Sequence, residues 1–113
     1  MLGSGHHLDR EQLMAKGYWI AHVTVNDPEG YKKYVEANAV AFKKYGARFL
    51  VRGGRHEVKE GSLRDRHVVL EFDSYDTAVA CYNSPEYRHA AAIRESYSVG
   101  DLVIIEGYDP PRP

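Results

Sequence analysis

The chain has 113 residues, a formal net charge of −1, 43% hydrophobic and 27% charged residues, which is room and composition for one globular domain. So small a charge gives no electrostatic basis for nucleic acid or an anionic membrane as partner, and no apolar run approaches the roughly 20 residues of a membrane span. A lone cysteine, Cys81, precludes an internal disulfide and suits a reducing cytoplasm.

Residues 1–13 fit no periodic pattern. Gly3-Ser4-Gly5-His6-His7 reads as a cloning remnant before a natural start at Met14, or else as a native disordered arm; His6 and His7 stay out of metal arguments. The domain proper spans residues 14–108. A period-two run from Tyr18 to Val25 sets Trp19, Ala21, Val23 and Val25 against Tyr18, Ile20, His22 and Thr24, the pattern of a strand. Asn26-Asp27-Pro28 ends it: Asp27 can cap a helix, Pro28 takes its first position and Glu29 complements its dipole. Tyr31, Tyr34, Val35, Asn38, Phe42 and Tyr45 then share one helical stripe, and Gly46 suits a left-handed cap.

A second strand, Arg48 to Arg52, sets Phe49 and Val51 against Arg48, Leu50 and Arg52. Gly53-Gly54 permits a bulge or bend before an extension through Glu60-Gly61. The third, Arg66 to Phe72, sets Val68, Leu70 and Phe72 against His67, Val69 and Glu71. Ser74 caps a short helix with Ala78, Cys81 and Tyr82; Ser84-Pro85 restarts it through about Arg94, with Tyr87, Ala90 and Ala91 inward. A last strand runs from Leu102 to Ile105, and residues 109–113 form a proline-rich tail.

The order is βαββαβ. It predicts an α+β, ferredoxin-like fold, an antiparallel sheet with its helices on one face. Trp19, Val23, Phe49, Val51, Val68, Leu70 and Phe72 suit the covered face. The other carries Ile20, Leu50, Val69, Leu102 and Ile104, too apolar for water, and predicts sheet-on-sheet homodimerisation.

Several strings are familiar once the elements are placed. Tyr34-Val35-Glu36-Ala37-Asn38, the run Tyr45-Gly46-Ala47-Arg48-Phe49-Leu50-Val51-Arg52-Gly53-Gly54, Glu60-Gly61 and Arg66-His67-Val68-Val69-Leu70-Glu71-Phe72 resemble the domain-of-unknown-function 1330 family. So do Cys81-Tyr82-Asn83-Ser84-Pro85-Glu86-Tyr87, Arg94 and the run from Asp101 to Tyr108. Ala47 stands where members often carry a second glycine. The resemblance implies the dimeric α/β-barrel superfamily, which includes cofactor-free monooxygenases, lactone isomerases and haem-processing enzymes. It implies no particular reaction.

No phosphate-binding glycine loop, nucleophile elbow or paired-cysteine metal site is present. Cys81 on its helical stripe reads as a small buried hydrophobe. Two constellations remain. Between helices and sheet, Tyr34, Asn38, Tyr82, Tyr87 and Arg94 offer polar heads and ring walls to a small aromatic or carbonyl compound; as plain core, the same tyrosines would send their hydroxyls to the surface. On the barrel-facing side, His22, Arg52, His67 and Glu71 are the candidates for catalysis, a histidine beside a carboxylate serving as base and Arg52 holding a carboxylate or enolate. The same residues read equally as an interface salt-bridge network; two histidines and an acid also resemble a non-haem metal set, but no metal or cofactor is assigned. The sequence thus points to a cytoplasmic homodimer binding an unidentified small molecule. It leaves open a cofactor-independent enzyme (oxygenation or proton-transfer isomerisation) and a non-catalytic ligand-binding or structural dimer.

Overall fold

The structure, a computed structural model, describes residues 15–109; the readings of residues 1–13 and of the prolines from 110 onward lie outside them. Its elements are β1 (Gly17–Val25), α1 (Pro28–Tyr45), β2 (Arg48–Arg52), β3 (Arg66–Phe72), α2 (Tyr75–Asn83), α3 (Pro85–Glu95) and β4 (Ser98–Glu106). The strands pair antiparallel in the order β2-β3-β1-β4. This is the ferredoxin-like α+β arrangement.

Local chemistry sets the helix ends. Asp27 accepts from the Gly30 N–H at 3.2 Å, Ser74 from the Thr77 N–H at 3.1 Å, and Ser84 from the Tyr87 N–H at 3.1 Å; each satisfies an orphan first-turn donor. Gly46, at φ 69°, closes α1 in the left-handed region. Because Ser84 is both the end of α2 and the N-cap of α3, the chain turns there without a loop. That turn carries Tyr87 into the core.

The core lies between the helices and one sheet face. Trp19, Phe42, Leu70, Phe72, Cys81 and Tyr87 are buried there. The Trp19 ring meets Tyr87 edge-on at 4.8 Å and Phe42 at 5.4 Å, and its indole N–H donates to the Ala78 carbonyl at 2.8 Å. This one side chain binds β1 to α1, α2 and α3.

Four readings of the sequence are corrected. β2 carries a bulge: Phe49 pairs with Leu70, but Val51 pairs with Val69 and Arg52 with Val68. Leu50 is the extra residue, so Val51 falls on the bare face and Arg52 on the helix-covered face. β4 starts at Ser98 rather than Leu102, and Leu102 and Ile104 stand opposite Ala21 and Trp19, packed against the core. No strand extends from Gly53 to Gly61. The bare face keeps its apolar character with partly different residues: Ile20 and Val69 half-buried, with Val51 42%, Val103 50% and Ile105 47% exposed.

Trp19→Phe keeps a ring but removes the indole hydrogen bond to the Ala78 carbonyl and opens a small void. A loss of about 2 kcal/mol is expected in urea unfolding; an unchanged midpoint would show that the indole does not tie the layers together.

Candidate functional site

Helical spacing brings Tyr31, Tyr34 and Asn38 to the inner side of α1, and α3 supplies Tyr87 and Arg94. With Arg52 of β2 and Arg66 of β3 they line a cleft between helices and sheet, floored by Trp19, Phe42 and Leu70. The cleft has about 510 Å³ of unfilled space counted out to its mouth, of which about 40 Å³ is wide enough for water.

At its base the Tyr34 and Tyr87 hydroxyls lie 2.8 Å apart, and Arg94 Nη1 donates to the Tyr87 oxygen at 3.4 Å. Both phenols are pushed above the ordinary tyrosine range, first by burial; the Asn38 amide and Arg94 pull Tyr34 back only in part. Both therefore stay protonated at neutral pH. The arrangement that uses every group has Tyr87 donating to Tyr34, leaving the Tyr34 proton for a ligand oxygen. Asn38, 5% exposed, lies close enough to the Tyr34 hydroxyl to lower its pKa.

The mouth is cationic. Arg52 stacks on the Phe49 ring at 4.0 Å. Arg66 leans on Tyr31 at 6.0 Å from the ring centre, and its buried Nε has no hydrogen-bond partner among the described residues. Gly53 makes room for it: a Cβ there would stand 2.4 Å from Arg66 Nη1, and φ is +68°, which disfavours any other residue.

Of the five residues expected here, Tyr34, Asn38, Tyr87 and Arg94 line the cleft. Tyr82 does not: it meets Trp19 edge-on at 5.6 Å, with Arg88 stacked on it at 4.3 Å. Cys81 is fully buried, its thiol pushed up to about 12 by desolvation, which suits packing rather than nucleophilic work. Tyr31 and Arg66 were missed, although strand parity with Val68 and Leu70 places Arg66 on the core side.

The four residues expected on the bare face come apart. Arg52 is on the other side of the sheet. His22 and His67 do meet, Nδ1 to Nδ1 at 2.8 Å, one ring donating to the other, and His56 approaches His67 edge-on at 4.4 Å. Burial, then repulsion from His56 and His22, lowers the His67 pKa. Glu71 stands opposite Tyr18, whereas His67 stands opposite His22; four residues along β3 separate the acid from the histidines by roughly 13 Å. Glu71 therefore pairs with neither histidine; the carboxylate opposite His22 is Asp101, which accepts from Arg64 Nε at 3.0 Å. Among the described residues no three His, Cys, Asp or Glu side chains are grouped to hold a metal ion.

Glu71 instead accepts from Arg48 Nε at 3.0 Å and from the Tyr18 hydroxyl at 3.0 Å. The Arg48 hydrogen bond, foremost, holds its carboxyl below the ordinary glutamate value. The native state thus binds this proton less tightly than the unfolded chain. Its contribution is complete above the unfolded value of 4.5 and fades as pH falls through the lower folded value. Arg48→Met should flatten the acid limb of a stability profile between about pH 5 and 3; a limb as steep as the parent's would assign it to other carboxylates.

Solved structures of similar fold fall at low identity. A protein of unknown function from Rhodopseudomonas palustris is 19% identical, with a TM-score of 0.66 over 85% of each chain. SnoaB, a cofactor-independent oxygenase from Streptomyces nogalater, is 13% identical with a TM-score of 0.58, covering 85% of this chain and 96% of its own. A dimeric ferredoxin-like protein of unknown function from Thermobifida fusca is 19% identical with a TM-score of 0.53, covering 82% and 93%. At such identities the likeness is one of fold. No curated protein matches the sequence significantly. The model of the DUF1330 family, a domain of unknown function, matches residues 16–108, and the chain belongs to that family.

Proposed function

We propose that the protein is a homodimer that takes a small organic molecule into the cleft between helices and sheet and acts on it without a cofactor. The chemistry is proton-transfer isomerisation, or oxygenation with dioxygen as co-substrate. The observation that carries this is the protonated Tyr34–Tyr87 pair at the base of an aromatic cleft, its oxygens 2.8 Å apart and backed by Arg94. A ligand carbonyl reaching Tyr34 would meet a donor already polarised from behind, and developing enolate charge would be stabilised there. SnoaB, similar in fold, is described as a cofactor-independent oxygenase, which supports the cofactor-free part.

Dimerisation rests on the bare face, where Val51, Val103 and Ile105 are 42–50% exposed beside Ile20 and Val69; apolar area of this kind is seldom left to water. A fold neighbour is described as dimeric. The buried lone Cys81 is compatible with a reducing cytoplasm, and among the described residues no helix is long and apolar enough to cross a membrane.

The second reading is a non-catalytic ligand-binding or structural dimer, and the cleft's width favours its structural form. Only about 40 Å³ admits water, against the several hundred of common ligand sites. Asn38→Leu separates a ligand site of either kind from a purely structural dimer. In a ligand site the variant keeps its fold while small ketones and lactones that raise the parent's melting temperature no longer do so. If Asn38 serves structure alone, the variant is destabilised and the parent responds to none of them.

Val103 is half-exposed in the protomer, so Val103→Lys should leave each subunit folded and shift dimer to monomer at least tenfold in sedimentation. An unmodified protein that sediments as a folded monomer at micromolar concentration would remove the dimer from the proposal.

A further inference from the structure

We propose that the cleft is built for an anionic ligand, a small planar carboxylate held in a fork between Arg52 and Arg66. This deepens the reading of the cleft as a ligand site and rests on it. Among the described residues three guanidiniums line the cleft, and no carboxylate does. Among the described residues the ion pairs within 4.0 Å engage Lys16, Lys32, Lys44, Arg48, Lys59 and Arg64, so Arg52, Arg66 and Arg94 bring their charge into the site uncompensated. A positive group without a counter-ion in a partly desolvated, aromatic-walled cleft is costly, and a bound anion removes that cost.

The two forks are placed to act together. Arg52 stands opposite Val68, and Arg66 lies two residues before Val68 on β3, on the same face. Adjacent strands of one sheet thereby place both arginines on the cleft side, where each planar guanidinium can grip a carboxylate bidentately. Arg66 Nε, buried and without a partner among the described residues, is a donor in want of an acceptor. Arg94 has a different task, donating to Tyr87 at the base. A carboxylate at the mouth would direct the rest of a planar molecule past Phe49 and Tyr31 toward Tyr34. The walls favour an aromatic or conjugated acid over inorganic phosphate, which offers nothing to the rings. Entry requires Arg52 to leave its stack on Phe49, an unstacking that a long, largely exposed side chain on β2 accommodates.

The test is a titration followed by nuclear magnetic resonance of the arginine Nε–Hε groups, using benzoate, its neutral analogue benzamide, and inorganic phosphate at constant ionic strength. Benzoate is expected to shift the Arg66 Nε–Hε signal saturably, with benzamide and phosphate at least tenfold weaker. Arg66→Lys, which keeps the charge but loses the fork, should weaken benzoate at least tenfold. Arg88→Gln, beside Tyr82 and outside the cleft, should not. If Arg66→Lys loses the native amide pattern, Arg52→Lys carries the same expectation at an exposed strand end. Equal response to benzamide overturns the carboxylate while leaving the cleft as a ligand site. Equal response to phosphate, or a lysine variant that binds like the parent, reduces the site to point charge and also overturns the proposal. No saturable response to any probe removes the ligand site itself.

Discussion

Tyr87 is the residue on which core and cleft both depend. Its ring is fully buried, edge-on to Trp19 and stacked with Phe42 at 5.9 Å, so α3, β1 and α1 are held around it. Its hydroxyl leaves that apolar surrounding at one point only, where Tyr34 and Arg94 meet it. A buried phenol has to find such partners, and here satisfying them also forms the base of the cleft. The packing that stabilises the fold and the chemistry available to a ligand are therefore not separable at this position.

The sheet divides the molecule's tasks. One face carries the helices, the core and the cleft. The other carries Ile20, Val69, Val103 and Ile105 with the His22–His67 pair and the Arg48–Glu71–Tyr18 set. Four strands with helices on one side leave that second face without cover in a single protomer, and a second sheet against it is the economical remedy. The separation of Glu71 from the histidines makes them two distinct polar features along one face.

Much of the architecture was legible because its punctuation is chemical. Asp27-Pro28, Tyr45-Gly46, Ser74 and Ser84-Pro85 each name a helix end, and the clean alternation of β1 and β3 fixed their faces. Legibility stopped where the pattern carried no phase. Leu102, Val103, Ile104 and Ile105 are all apolar, so alternation could not tell which pair meets the core; pairing with Trp19 and Ala21 decides it. In β2 one bulged residue reversed every face after Phe49 and carried Arg52 from the bare side to the cleft. A bulge of this kind is set by pairing with β3, which a single strand's sequence does not encode. Arg66 was missed for a different reason: a charge at a strand's first position reads as solvated, although its parity placed it inward.

Helices and sheet enclose a cleft whose guanidiniums, uncompensated among the described residues, share it with a protonated phenol pair. A crystal structure of the protein grown with benzoate tests this arrangement most directly. One benzoate per protomer is expected in this cleft, its carboxylate within hydrogen-bonding distance of Arg52 and Arg66, and Arg52 lifted from Phe49. A cleft closed by its own side chains, with Arg52 still stacked on Phe49 and benzoate absent or bound only elsewhere, would contradict it.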